Sequence, residues 1–246
     1  MNRQSEEMRR DLEELFEGFP DIHVSDIPGI DLYMDQVTTF LQEKLRGIAR
    51  DPEGDKFLTK TMINNYVKNK VLIPPVKKKY SRDHMMLLIM IYYMKSFLSI
   101  SDIHQITGPL MERYAAPSVE RPDKRKEPQK EPQDRRKESA DRRGEATDRK
   151  SGTGNKSSAS GGGRESGKLR IPQIYEEIIG SIDEDLVRIR SDIEKQIDLA
   201  AEDFADAPEE EQDLLQRFSL ICRLSCEVYM RKRFIESLLD DTRNNI

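Results

Sequence analysis

The 246-residue chain has only two cysteines, Cys222 and Cys226, and three histidines, His23, His84 and His104. Two thiols four residues apart cannot frame a disulfide-stapled fold and fit a reducing compartment. The histidines are scattered singly and show no metal-ligand spacing. Long apolar runs are missing as well. The longest, residues 85–94, has ten residues, the length of a buried core helix and far short of the about 20 needed to span a membrane. The opening segment, MNRQSEEMRRDLEELFEGF, is too charged for the apolar core of a signal peptide. A cytoplasmic protein without membrane contact is therefore expected. No hydrolase nucleophile elbow, zinc-protease helix, dinucleotide fingerprint or kinase motif set occurs. The expectation is a non-enzyme with no catalytic residue, no metal ligand and no cofactor. Gly162, Gly167 and Lys168 match part of a phosphate-binding loop, but Leu169 stands where magnesium needs Ser or Thr, and no apolar strand precedes it.

What the chain does have is charge, unevenly placed. Lys and Arg number 16 against 17 Asp and Glu over residues 1–116, 15 against 10 over 117–168, and 10 against 19 over 169–246. The net charge of -5 argues against a nucleic-acid coat protein, yet a local basic patch binds phosphate whatever the total. Residues 117–168 combine Pro, Gly, Ser and charge with almost no large apolar side chains. They cannot bury enough surface to offset the entropy of ordering, so a disordered linker is expected. KEPQ repeats at 126–129 and 130–133, and the segment ends in a flexible-linker composition.

The N-terminal part reads as helices. Met8, Leu12, Leu15, Phe16 and Phe19 recur at helical spacing, so residues 5–18 form an amphipathic helix that needs a docking surface, on its own domain or on a partner. Met34, Val37, Phe40, Leu41, Leu45 and Ile48 mark a second helix, closed by the polar turn ARDPEGDK. Thr59 sits at an N-cap position for a third helix running to about Asn69. At about 100° per residue, Met62, Ile63, Tyr66 and Val67 fall on one side of it and Lys60, Thr61, Asn64, Asn65 and Lys68 on the other. Pro74 and Pro75 stop the helix, and Ser81 caps the next. Residues 82–98 are apolar nearly all round, the mark of a central buried helix. Ser99 and Asp102 stand in capping-box spacing for a final short helix that turns Ile103 and Ile106 inward.

From residue 55 to 82 there are eight positive side chains, Lys56, Lys60, Lys68, Lys70, Lys77, Lys78, Lys79 and Arg82, against the single acid Asp55. A solvated helix face usually mixes signs, and the polar side of the third helix has no carboxylate. Lysines neutralise phosphates and fix register on a duplex, while Asn, Thr and Lys hydrogen-bond base edges in the major groove.

Thr59 at the cap, Ile63, Tyr66, the pair Val71 and Leu72, and KKKYSRDHM beyond them resemble the DNA-binding head of the MerR (mercury-resistance regulator) family. The order there is a recognition helix, a small basic wing and a further helix. Through IDLYMDQVTTFL and MINNYVKNK the chain is also similar to an uncharacterised family with a domain of unknown function, mostly from Gram-positive bacteria and regarded as MerR-like. The resemblance covers about residues 25–110. It departs from the MerR pattern where Asn64 and Asn65 replace an Arg-Tyr pair, where Lys70 replaces Gly, and in a wing several residues short. It implies a winged helix-turn-helix that binds double-stranded DNA. Lys60, Thr61, Asn64, Asn65 and Lys68 would face bases, and Thr59, Tyr66, Lys77, Lys78, Lys79, Tyr80 and Arg82 would hold phosphates.

After the linker, Ile171, Tyr175, Ile178, Ile182, Leu186, Ile189, Ile193, Ile197, Ala200 and Phe204 follow a 4-3-4 pattern. This 11-residue repeat, about 3.67 residues per turn, keeps a nearly straight helix in phase. Pro208 and the glutamates after it begin a second helix over about 209–240, and an antiparallel hairpin is expected. It either completes the core of the same chain's head or dimerises through residues 171–240, as the long helix after a MerR-type head implies. Its acidity disfavours contact with DNA. Cys222 and Cys226, at i and i+4, are small seam fillers or, in a dimer, half of a four-thiol site.

The expectation is thus a mainly α protein with an N-terminal amphipathic helix (1–22), a MerR-like head (23–116), a disordered linker (117–168) and a long helical hairpin (169–246). Its expected role is a bacterial, dimeric, sequence-specific transcriptional regulator of unknown effector. The alternative is a helical protein-protein adaptor that does not bind DNA.

Overall fold

Residues 82–94 carry scarcely a polar side chain beyond their first turn, and a helix apolar on every side is stable only when other elements surround it. In the computed structural model of the chain, which describes residues 3–50, 57–115 and 169–244, this helix is the centre of the core. The linker expected over 117–168 lies outside the described residues, as do residues 51–56 and with them Lys56. The elements in order are α1 (Arg3–Glu17), a 3-10 turn (Val24–Asp26), β1 (Leu32–Tyr33), α2 (Met34–Leu45), α3 (Lys60–Lys68), β2 (Lys79–Tyr80), α4 (Arg82–Met94), α5 (Ile100–Tyr114), α6 (Ile171–Glu202) and α7 (Glu209–Asn244). The architecture is mainly helical and ends in a long helical pair. No helix among the described residues is long and apolar enough to cross a membrane.

Around α4, where Met85 to Ile89 and Ile91 are all buried, pack Val37, Leu41 and Leu45 of α2, Ile63 and Tyr66 of α3, and Ile103 of α5. The two strands are a minimal antiparallel pair, Leu32 opposite Tyr80 and Tyr33 opposite Lys79. Ser99 caps α5 as its spacing predicts: its Oγ accepts from the Asp102 N–H at 3.2 Å while Asp102 Oδ2 accepts from the Ser99 N–H at 3.2 Å. That helix runs fifteen residues rather than one short turn or two, and only Ile103 of its expected inward pair is buried; Ile106 is exposed.

Helices α6 and α7 run antiparallel. Gln196 Nε2 reaches Glu227 at 3.2 Å, and Gln216 Nε2 donates to the Ala201 carbonyl at 2.9 Å. Of the two destinations left open for the hairpin, the described residues occupy one: it packs on the head of its own chain. Ile171, Tyr175 and Ile179 belong to the same core as α4, and Leu239 of α7 joins them. Burial of each such side chain stabilises by about 2 kcal/mol. The stripe on α6 differs from the sequence expectation in two places. Ile179 is buried and Ile178 exposed, because the head meets a local 171-175-179 face. Phe204 lies past the end of the helix, exposed, at φ 57°.

Helix α1 docks on the hairpin. Leu12 sits in a second cluster with Ile197, Ala200 and Leu220, and Arg217 pairs with Glu7 at 3.0 Å. At its end, Gly18 and Gly47 pass backbone to backbone; a Cβ on Gly47 would collide with the Gly18 carbonyl.

Candidate nucleic-acid interface

The basic helix α3 begins where Thr59 Oγ1 accepts from the Met62 N–H at 3.2 Å. Burial of Ile63 and Tyr66 fixes its rotation. That rotation leaves Lys60, Thr61, Asn64, Asn65 and Lys68 exposed together. The Oδ1 of Asn65 accepts from Asn69 Nδ2 at 2.9 Å, so of the two asparagines Asn65 is the more tethered.

The helix stops in a Schellman turn. The Lys70 N–H donates to the Val67 carbonyl at 3.1 Å and the Val71 N–H to the Tyr66 carbonyl at 2.8 Å. The turn needs a left-handed residue, a place that favours glycine; here Lys70 occupies it at φ 58°. A few residues on, Val76 and Lys79 exchange backbone hydrogen bonds of 2.9 and 3.1 Å across a two-residue turn. Its central residues Lys77 and Lys78 have φ 51° and 64°. Two positive φ values in a two-residue hairpin are the demand that Asn-Gly usually meets. Three lysines of one basic segment thus hold backbone conformations that disfavour a Cβ.

Both basic elements converge on the start of α2. Lys60 of α3 forms an ion pair with Asp35. Lys79 is the strand partner of Tyr33, and its ammonium lies over the Tyr33 ring, 5.2 Å from the centroid. The sequence expectation of a face free of acids holds within α3 but overlooked Asp35, which reaches Lys60 from the neighbouring helix.

The expected phosphate ligands divide into two groups. Lys77 and Lys78 are exposed at the hairpin tip, Lys79 is half-buried, and Thr59 is half-buried with its oxygen engaged in the cap. Tyr66 and Tyr80 are buried, and burial pushes both phenols above their ordinary pKa. Arg82 is half-buried and donates from Nη2 to the Ile27 carbonyl at 2.7 Å. These last three side chains build the platform rather than its surface.

Behind the hairpin lies His84, which the sequence pattern does not single out. Its Nδ1 accepts from the Ser81 N–H at 3.0 Å, its ring stands edge-on to Tyr80 with centroids 5.4 Å apart, and its buried Nε2 has no hydrogen-bond partner among the described residues. Burial holds its pKa below the ordinary value. The one signal for it in the sequence is its place three residues after the Ser81 cap.

A second histidine joins head and hairpin. His23 Nδ1 lies 2.9 Å from Glu176 Oε1 and its Nε2 2.8 Å from Asp21 Oδ1, with Asp183 at 3.9 Å. Ligand atoms of Asp21, His23 and Asp183 lie within 4.8 Å of one another, an arrangement that could hold a metal cation. Asp183 is 160 residues from His23, so spacing along the chain cannot reveal the cluster.

Residues 22–125 match the model of a family described as a domain of unknown function (DUF1836). That segment contains α3, the lysine hairpin and the central helix. No curated protein and no solved structure matches the chain.

Proposed function

We propose that the protein is a sequence-specific double-stranded-DNA-binding transcriptional regulator, dimeric, with a MerR-like winged helix-turn-helix head. The observation that carries this reading is the exposed face of α3, Lys60, Thr61, Asn64, Asn65 and Lys68, beside a hairpin whose tip is Lys77 and Lys78. Asparagine and threonine on an exposed helix are hydrogen-bonding groups suited to base edges. Lysines at a turn supply phosphate contacts that carry no sequence information. The left-handed lysines support the reading because glycine or asparagine would serve the turns with less strain, and what lysine adds there is positive charge. The resemblance of residues 25–110 to MerR-type heads supports it further. In this reading α3 is the recognition helix, the 76–79 hairpin a shortened wing, and the hairpin of α6 and α7 a cover that braces the head. The protein acts by binding, not by catalysis, in the cytoplasm.

The test is selection of bound sequences from a random duplex pool at two salt concentrations. Recovery of a palindrome, with weaker binding at the higher salt, is expected for a dimeric regulator. Recovery of nothing above background overturns the reading in favour of a helical adaptor.

A further inference from the structure

The outer face of α7 is apolar, and nothing among the described residues covers it. Leu214, Phe218, Ile221 and Tyr229 are 71%, 60%, 61% and 61% exposed, while Leu220 on the opposite side is buried against α6 and α1. A contiguous apolar stripe of this kind on a charged helix marks an association surface. At about 100° per residue, Glu211, Leu214, Phe218, Ser225, Tyr229 and Lys232 fall within about 40° of one line, with Ile221 and Cys222 just to either side of it. Positions 214 and 225, 218 and 229, and 211 and 222 are each separated by eleven residues, a period that keeps the stripe straight along the helix.

We infer that this stripe pairs with itself on a second copy of the chain, antiparallel, about a two-fold axis passing between Ile221 and Cys222. In that register Glu211 of one copy faces Lys232 of the other, Leu214 faces Tyr229, and Phe218 faces Ser225, whose small side chain leaves room for the ring. Lys232, a charged residue at the end of the stripe that lies 3.9 Å from Glu236 of its own helix, becomes the partner of Glu211. A parallel pair in register would instead set Glu211 against Glu211 and Lys232 against Lys232. The stripe thus matches itself in shape and charge only when reversed, which is what a two-fold interface requires. The inference rests on the dimeric part of the function proposed above but does not depend on DNA.

The two cysteines read out the register. With about 1.5 Å of rise per residue, the two Cys222 residues lie about 1.5 Å apart along the axis, and the two Cys226 residues, nine positions out of register, about 14 Å apart. The experiment is sedimentation of the full chain, followed by cross-linking with a short bis-maleimide. Twice the 28.6 kDa chain mass is expected, with cross-linked dimer from the wild type and from Cys226→Ser but not from Cys222→Ser. Glu211→Lys and Lys232→Glu should each weaken self-association about tenfold, and the two together should restore it. A chain that sediments as a monomer at every concentration overturns the pairing, as does equal cross-linking through either cysteine. A stripe that is occupied only when a different protein is added overturns it too. A monomer that still selects a DNA sequence removes the pairing and leaves DNA recognition standing. A dimer of the stated register that selects none does the reverse.

Discussion

The phenol of Tyr175, on α6, donates a hydrogen bond to the carbonyl oxygen of Ile22 at 2.7 Å, with the whole Tyr175 side chain buried in the core around α4. A residue C-terminal to segment 117–168 therefore satisfies a backbone acceptor N-terminal to it, and head and hairpin share one core. Tyr175→Phe leaves the Ile22 carbonyl without its donor and should destabilise the chain by about 1 kcal/mol. Tyr175→Ala empties the site and should cost about 3–5 kcal/mol. Denaturant melts followed separately on a head probe and a hairpin probe check this. Both transitions should move together in both variants, and a shift confined to the hairpin would refute the shared core.

At the hairpin tip, stability and binding pull in opposite directions. Lys77 and Lys78 sit at φ 51° and 64°, where Asn-Gly is the favoured pair. Lys77→Asn with Lys78→Gly should therefore stabilise the fold by about 1 kcal/mol or more. If the lysines hold phosphates, the same variant should weaken binding to all duplexes alike and reduce the salt slope by about 0.9 for each phosphate that is no longer neutralised. Thermal melts and titrations at several salt concentrations read the two effects separately. A variant that is more stable and binds DNA as before would remove the hairpin from the interface.

Asp35 should act as a brake. It holds Lys60 in an exposed ion pair, and DNA approaching the exposed face of α3 must compete with it. Asp35→Asn removes the competitor and a negative charge beside α3, and should tighten binding to every duplex a few-fold through weaker repulsion of the phosphate backbone. Exposed pairs of this kind contribute at most about 1 kcal/mol, so stability should scarcely move. Affinity measured on two unrelated sequences checks it; unchanged affinity on both would mean Lys60 does not reach DNA.

How much of the molecule is legible in its sequence follows the range of the interactions. The Thr59 cap, the Ser99 capping box, the polar face of α3 and the break at Pro208 are written within a few neighbouring residues, and each is found in place. Long-range pairing is not legible. Nothing local to Asp35 or Lys60 announces their contact, and nothing near His23 announces Glu176. The exposure of Ile178 and Ile106 has the same origin. Periodicity identifies an apolar face, but which edge of that face is buried depends on the neighbour that meets it. The left-handed lysines are hidden for another reason: the sequence shows Lys where glycine or asparagine is the usual signal.

The two placed histidines should give opposite pH dependences. Burial lowers the pKa of His84 below its ordinary 6.5. Its contribution is therefore fully present above pH 6.5 and is lost as the pH falls through the folded value, when a second proton on the ring ends its acceptance from the Ser81 N–H. His23 is raised above 6.5, first by its hydrogen bond to Glu176 and further by the charges of Asp21 and Asp183. Its contribution is present below pH 6.5 and is lost as the pH rises through that higher value, leaving three carboxylates around a neutral ring. Amide hydrogen exchange corrected for intrinsic rates separates the two. The Val24 N–H, held by Glu176 Oε2 at 2.9 Å, should lose protection on the alkaline side, and the amides at the start of α4 on the acid side. His23→Gln should flatten the first dependence alone and His84→Gln the second alone. If one substitution flattens both, the two ends of the head are coupled and the assignment of each loss to its own histidine fails.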